Sequence, residues 1–168
     1  MSKDVARLIE IDHEDTVLRA FMLFVQTGQI VLKYVDAYLY RKTRLSVSKL
    51  IILKALDSSS RAMRPSELAN WTNTERHNIT ALISRMKKEG LVTAERDSRS
   101  KKFVNINLTD EGRQVLRHAI PVAEEIVDQL MLSTTDGDAA LLEEKLRILR
   151  QNAYHGLEDS PNRATPAD

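Results

Sequence analysis

Two stretches of this chain carry side chains that could do chemistry at close quarters. The first is Trp71-Thr72-Asn73-Thr74-Glu75-Arg76-His77-Asn78-Ile79-Thr80, followed by Arg85-Met86-Lys87-Lys88. The second is Glu95-Arg96-Asp97-Ser98-Arg99-Ser100-Lys101-Lys102. The polar groups of the first are short, and such side chains hydrogen-bond base edges without blocking entry to a groove. Asn suits adenine and Arg suits guanine, whereas Ser, Thr and His discriminate less. In the second, Arg96, Arg99, Lys101 and Lys102 crowd one short segment, with only Glu95 and Asp97 to offset them. Phosphate would relieve that repulsion, and arginine at such a tip suits a narrow minor groove. The plain alternatives are a solvated helix face and an edge strand protected by charge.

The surrounding pattern predicts how these groups are held. Ile79, Leu82, Ile83 and Met86 recur at helical spacing, which predicts a helix from about Thr74 to Glu89 stopped by Gly90. Thr72 and Glu75 have capping-box spacing, and Thr74 is the other candidate cap. The face opposite the apolar one carries Thr74, His77, Ala81, Ser84, Arg85 and Lys88, flanked by Asn78 and Thr80. Upstream, Pro65 suits the first position of a shorter helix in which Leu68 and Ala69 face inward and Trp71 closes against the core. Val92–Arg96 and Phe103–Leu108 alternate as strands, with Val104, Ile106 and Leu108 on one face, so the cations form a hairpin tip. Two short helices and a cation-tipped hairpin place one helix in a DNA major groove and a loop beside it.

Longer helices flank this segment. Leu18, Phe21, Val25, Gly28, Leu32, Val35 and Leu39 step by three and four, predicting one helix over 14–41. Ser46 is the expected N-cap of a helix bearing Val47, Leu50, Ile51, Leu53 and Leu56, and Asp57-Ser58-Ser59-Ser60 ends it. Thr109 caps a helix with Leu116, Ile120, Ala123, Val127 and Leu130, in which Pro121 should produce a kink. After a break at Ser133–Asp138, Leu142, Leu146, Leu149 and Ala153 mark a last helix, and 157–168 reads as a disordered tail.

Composition sets limits. The 168 residues suit one domain with extensions, and 42% hydrophobic with 29% charged is ordinary for a globular protein. Net charge is only +1, but it is unevenly spread. Residues 61–102 hold 10 Lys+Arg against 5 Asp+Glu, whereas 103–168 hold 6 against 12. That basic middle is a local electrostatic footprint. Zero cysteines exclude disulfides, thiolate metal sites and thiol switches. A charged first fifteen residues and the lack of a long apolar run lead us to expect a cytoplasmic protein with no membrane partner. His13, His77, His118 and His155 lack ligand spacing, so neither metal nor cofactor is expected. Nor is an enzyme, because no nucleophile–base arrangement and no glycine-rich phosphate loop is present.

Residues 45–112 resemble the winged helix-turn-helix of the MarR (multiple antibiotic resistance regulator) family. The matching segments are Pro65-Ser66-Glu67-Leu68-Ala69, Thr80 with Arg85, Gly90-Leu91-Val92, Asp97-x-Arg99 and Leu108-Thr109-x-x-Gly112. The flanking helices extend the likeness to about 14–155. The resemblance implies a mainly α fold with a small β-hairpin wing. It divides the chain into an N-terminal dimerisation helix (1–44), a DNA-binding lobe (45–112), C-terminal dimerisation helices (113–156) and the tail (157–168). It implies that Thr74, Arg76, His77, Asn78 and Thr80 face the major groove and that Arg99 reaches the minor groove, with Asp97 shaping the wing. Arg96, Lys101 and Lys102 accompany Arg99 on the wing, and Arg85 and Lys88 lie near the backbone. Three positions depart from the family pattern: Arg64, where a Thr or Ser cap is common, Ala81, where a longer polar residue is common, and Ser100, where Asp is common.

The expected function is that of a dimeric, sequence-specific regulator of transcription, a ligand-responsive repressor of a nearby gene. The apolar stripes need a partner, and a second copy supplies one through Leu18, Phe21, Val25, Leu116, Ile120, Val127, Leu130, Leu142, Leu146 and Leu149. Such a dimer meets a pseudo-palindromic double-stranded operator, its half-sites about one turn apart. The resemblance further implies a small aromatic or anionic effector. Tyr34, Tyr38, Tyr40, Met22 and Phe24 could line its cavity, although ordinary core is the simpler reading for them. The alternative function is a winged-helix module that binds protein rather than DNA.

Overall fold

Asp15 caps the first helix by accepting from the backbone N–H groups of Val17 (2.8 Å) and Leu18 (3.3 Å), two of the donors a helix start leaves unpaired. The computed structural model describes residues 15–59, 61–72, 74–96 and 104–159. Six helices and two strands follow one another: α1 (Thr16–Thr43), α2 (Val47–Ser58), α3 (Pro65–Thr72), α4 (Arg76–Lys88), β1 (Val92–Arg96), β2 (Val104–Leu108), α5 (Asp110–Leu130) and α6 (Asp136–Asp159). This is the mainly α, hairpin-bearing winged-helix fold that the motifs imply. The chain divides into two compact units after Val127.

In the first unit, the apolar periodicity of each short helix meets in one core. Leu39, Ile52, Leu53, Leu68, Ile79, Met86, Ile106 and Leu116 are almost completely buried there. Ser46 caps α2 as expected, its Oγ accepting from Lys49 N (3.4 Å), while Asp36 of α1 accepts from Val47 N (2.9 Å). A carboxylate from α1 therefore holds the start of α2, complementing its positive end. Gly90, at φ +74°, ends α4 in a conformation that costs other residues about 1 kcal/mol or more. The strands pair antiparallel from Val92↔Leu108 to Arg96↔Val104. Reciprocal backbone bonds between Met63 and Ile106 (3.0 and 2.8 Å) tie the hairpin to the approach to α3. Thr109 caps α5, its Oγ1 accepting from Gly112 N (2.9 Å) and donating to the Leu91 carbonyl (2.9 Å).

Several expectations need correction. Trp71 does not close against the core: it is 56% exposed at the end of α3, where Leu68 and Ala69 already fill the inward face. Neither Thr72 nor Thr74 caps α4. The Thr72 hydroxyl donates back to Leu68 O (2.8 Å), Thr74 Oγ1 donates to Thr72 O (3.2 Å), and Glu75 holds the N-cap position without a side-chain bond. Leu116 is 2% exposed within its own unit and Ile120 packs against the same core, so Leu116 has no surface left for a second subunit. Four of the five proposed cavity residues are not core either: Met22, Phe24, Tyr34 and Tyr40 are 36–51% exposed, whereas Tyr38 packs against the core.

In the second unit, α6 extends to Asp159 and so includes Leu157, which the tail expectation had left outside. Thr135 and Asp138 form its capping pair, with Thr135 Oγ1 accepting from Asp138 N and Asp138 accepting from Thr135 N. No described residue of α6 is buried. The rest of the tail expectation, on 160–168, lies outside the described residues.

Candidate nucleic-acid interface

The interface is built on α4, and α4 is held by its other side. Ile79, Leu82, Ile83 and Met86 are buried, which leaves Arg76, His77, Asn78, Thr80, Ala81, Ser84, Arg85 and Lys88 exposed. At 100° per residue these cannot all share one line, and the structure sorts them into two. Glu75, Arg76, His77, Thr80, Ala81 and Ser84 form one shallow surface. Asn78 and Arg85 lie on the neighbouring stripe, lining a groove of about 430 Å³ against Ser46, Ser48 and Lys49 of the α2 start. Thr74 belongs with this second set, in the turn before α4, and is half-buried.

Local bonds set what each group can offer. Thr80 Oγ1 donates to Arg76 O (2.9 Å), so its proton is engaged while its lone pairs and methyl remain available. His77 Nδ1 lies 3.3 Å from Glu75 Oε2 on the open surface. Lys49 is paired with Glu89 at 2.6 Å, which pins the start of α2 to the end of α4.

Upstream, Glu67 organises the start of α3. Its carboxylate accepts from Arg61 Nη2 (2.5 Å) and from Arg64 N (2.6 Å). The Arg61 hydrogen bond, then the Arg64 backbone bond, hold the Glu67 carboxyl down to about 2. Glu67 thus supplies half a capping box at the position where Arg64 replaces the usual hydroxyl residue.

On the hairpin, Arg96 is exposed at the end of β1, opposite Val104. The remaining expected wing residues, Asp97, Arg99, Lys101 and Lys102, lie outside the described residues. The residues that the sequence reading did not assign to the interface are Ser46, Ser48 and Lys49, together with Glu75. Their only sequence signal was the N-cap pattern for the first three and helical spacing for Glu75. Among the described residues no group of three His, Asp or Glu could hold a metal ion, and no helix is long and apolar enough to cross a membrane.

Comparison with known proteins places this geometry. Residues 45–112 match the winged helix DNA-binding domain model. The chain is 29% identical over 91 residues to the transcriptional repressor MprA of Escherichia coli K12, covering 53% of this chain. It spans about half (51%) of that relative's length. Sco3205, a MarR family transcriptional regulator from Streptomyces coelicolor solved in complex with DNA, superposes with a TM-score of 0.76 at 26% identity. That match covers 87% of this chain and 91% of the other.

The fold is that of the MarR family regulators.

MarR proteins are transcriptional regulators and not enzymes. At 23% identity, the organohalide-sensing regulator RdhR-CbdbA1625 in its 2,4-dichlorophenol-bound form shares the MarR fold, with a TM-score of 0.75 over 94% of this chain and 96% of that one.

Proposed function

We propose that this protein is a dimeric, sequence-specific double-stranded-DNA-binding regulator that represses a nearby gene and responds to a small aromatic or anionic effector. One observation carries the reading: α4 buries Ile79, Leu82, Ile83 and Met86 and so presents Arg76, His77, Thr80 and Ser84 as an unobstructed polar face. A helix held this way can enter a major groove with its hydrogen-bonding groups leading. The wing cations, Arg96 through Lys102 with Arg99 foremost, complete the proposed contact at the minor groove, and Lys88 lies toward the backbone.

The dimer rests on unpartnered surface. On α1, Val17, Leu18, Phe21, Leu23, Phe24 and Val25 are 39–78% exposed, and on α6, Leu142, Leu146 and Leu149 are 36–47% exposed. An isolated helix in water is marginal without an apolar face to pack, so these stripes, with Val127 and Leu130, are proposed to meet a second copy. The effector is proposed by analogy with the dichlorophenol-bound relative, with the exposed Tyr34, Tyr40, Met22 and Phe24 as the apolar groups available to it.

The test is a gel-shift and footprint on the intergenic DNA beside the gene. A protected pseudo-palindrome, with Arg99→Ala flattening the salt dependence by about one unit, is the expected result. No retarded duplex, together with salt-insensitive capture of a protein, would favour the protein-binding module instead.

A further inference from the structure

The groove between α2 and α4 has no role in the base-reading face, and its chemistry is distinct. Three side chains on it have donors engaged with no other described residue: the Ser48 hydroxyl, the Asn78 amide and the Arg85 guanidinium. Ser46, Thr72 and Thr74 also line it, but each already holds a local hydrogen bond. Ile51, Ile79 and Leu82 contribute its apolar surface. Lys49 also lines it, its charge paired with Glu89, and no acidic residue is among the described residues that line it.

Asn78 and Arg85 stand two turns apart on one stripe, about 10 Å along the axis. That separation exceeds the reach of one small ion and suits an extended polyanion. The groove also continues directly into the proposed major-groove face, sharing Ala81 with it. A strand whose bases meet Arg76, His77 and Thr80 must carry its sugar–phosphate backbone along one flank of α4.

We infer that this groove seats the DNA backbone, with Ser48 and Asn78 joining Arg85, which the resemblance already sets near the backbone, in donating to its phosphodiester oxygens. Asn78 is then a backbone ligand and not a reader of bases, and the start of α2 becomes part of the DNA-binding surface. The inference rests on the proposed DNA-binding function and reassigns one of its residues. Donors to phosphate fix register and orientation and carry no sequence information, and this separates the two roles of Asn78 experimentally.

The full-length chain and its Asn78→Ala, Arg85→Ala, Ser48→Ala and Ser48→Asp variants would be titrated against the footprinted operator and against a random duplex of equal length, across a salt series. All three positions are exposed, and circular dichroism would verify that each variant folds. Asn78→Ala should weaken both duplexes by a similar factor, about tenfold, leaving their affinity ratio unchanged. Arg85→Ala should lower the salt slope by about 0.9. Ser48→Asp should weaken both duplexes more than Ser48→Ala, because it sets a carboxylate against phosphate. An Asn78→Ala variant that loses operator affinity while keeping its affinity for random DNA would overturn the inference. So would a Ser48→Asp variant that binds both as the native protein does. Either result would leave the DNA-binding function standing, whereas failure of the native chain to bind any duplex would remove both.

Discussion

The Tyr38 phenol of α1 donates a 2.6 Å hydrogen bond to Glu125 Oε1 of α5, joining residues 87 positions apart. The Tyr38 ring lies 5.8 Å from that of Tyr34, and the Arg41 guanidinium sits 4.9 Å from its centre. A carboxylate acceptor makes this a charge-assisted bond, although solvent reaches it. Tyr38→Phe keeps the ring and removes the donor. Urea denaturation should register a loss of about 1 kcal/mol, and no loss would mean that water replaces the phenol without penalty.

Gly112 has no room for a side chain. A Cβ there would run into the Leu91 carbonyl oxygen and lie 2.7 Å from Leu108 Cδ1. The backbone atom cannot swing aside as a flexible side chain could. Gly112→Ala should therefore cost about 3 kcal/mol, seen as a clear fall in thermal midpoint. A midpoint close to that of the native chain would show that α5 can shift away from the hairpin.

Glu67 makes stability depend on acid. Its folded carboxyl is held at about 2, below the ordinary 4.5, first by the Arg61 hydrogen bond and then by the Arg64 N–H. A depressed carboxyl stabilises the fold fully above the unfolded value, and the contribution fades as pH falls from about 4.5 toward 2. Glu67→Gln should lower the midpoint at neutral pH and give a flatter profile across that window. Parallel profiles for the two proteins would assign the acid sensitivity elsewhere.

Phe21 is half-exposed in the single chain, so a charge there should leave the lobe folded. Light scattering of the native protein should give twice the 19.1 kDa of one chain. Phe21→Glu should shift that mass toward one chain and weaken operator binding, since two linked lobes reach two half-sites together. A native protein that runs at one chain mass would refute the dimer.

Much of the lobe was legible in its residues. The burial of Ile79, Leu82, Ile83 and Met86, the caps at Ser46 and Thr109 and the stop at Gly90 follow from helical spacing and local backbone chemistry. Such signals are carried by residues a few positions apart, so they survive in one dimension. Trp71 misled because its size suggested burial, while its place on α3 was already decided by Leu68 and Ala69. Thr72 and Thr74 misled because a hydroxyl that can cap the next helix can equally bond back to the turn before it.

By itself, the sequence determined the order of helices and hairpin, the apolar face of each short helix, and a basic middle whose polar groups suit nucleic acid. Only the tertiary structure decided that Asn78 and Arg85 share a groove with Ser48 while Arg76, His77 and Thr80 share another surface, and that Leu116 fills the core of its own lobe. The physical reason is that periodicity tells which residues of one helix lie together, but not which neighbour that side will meet. That neighbour is chosen by how α2, α4 and α5 pack around one core, a relation between residues far apart in the chain.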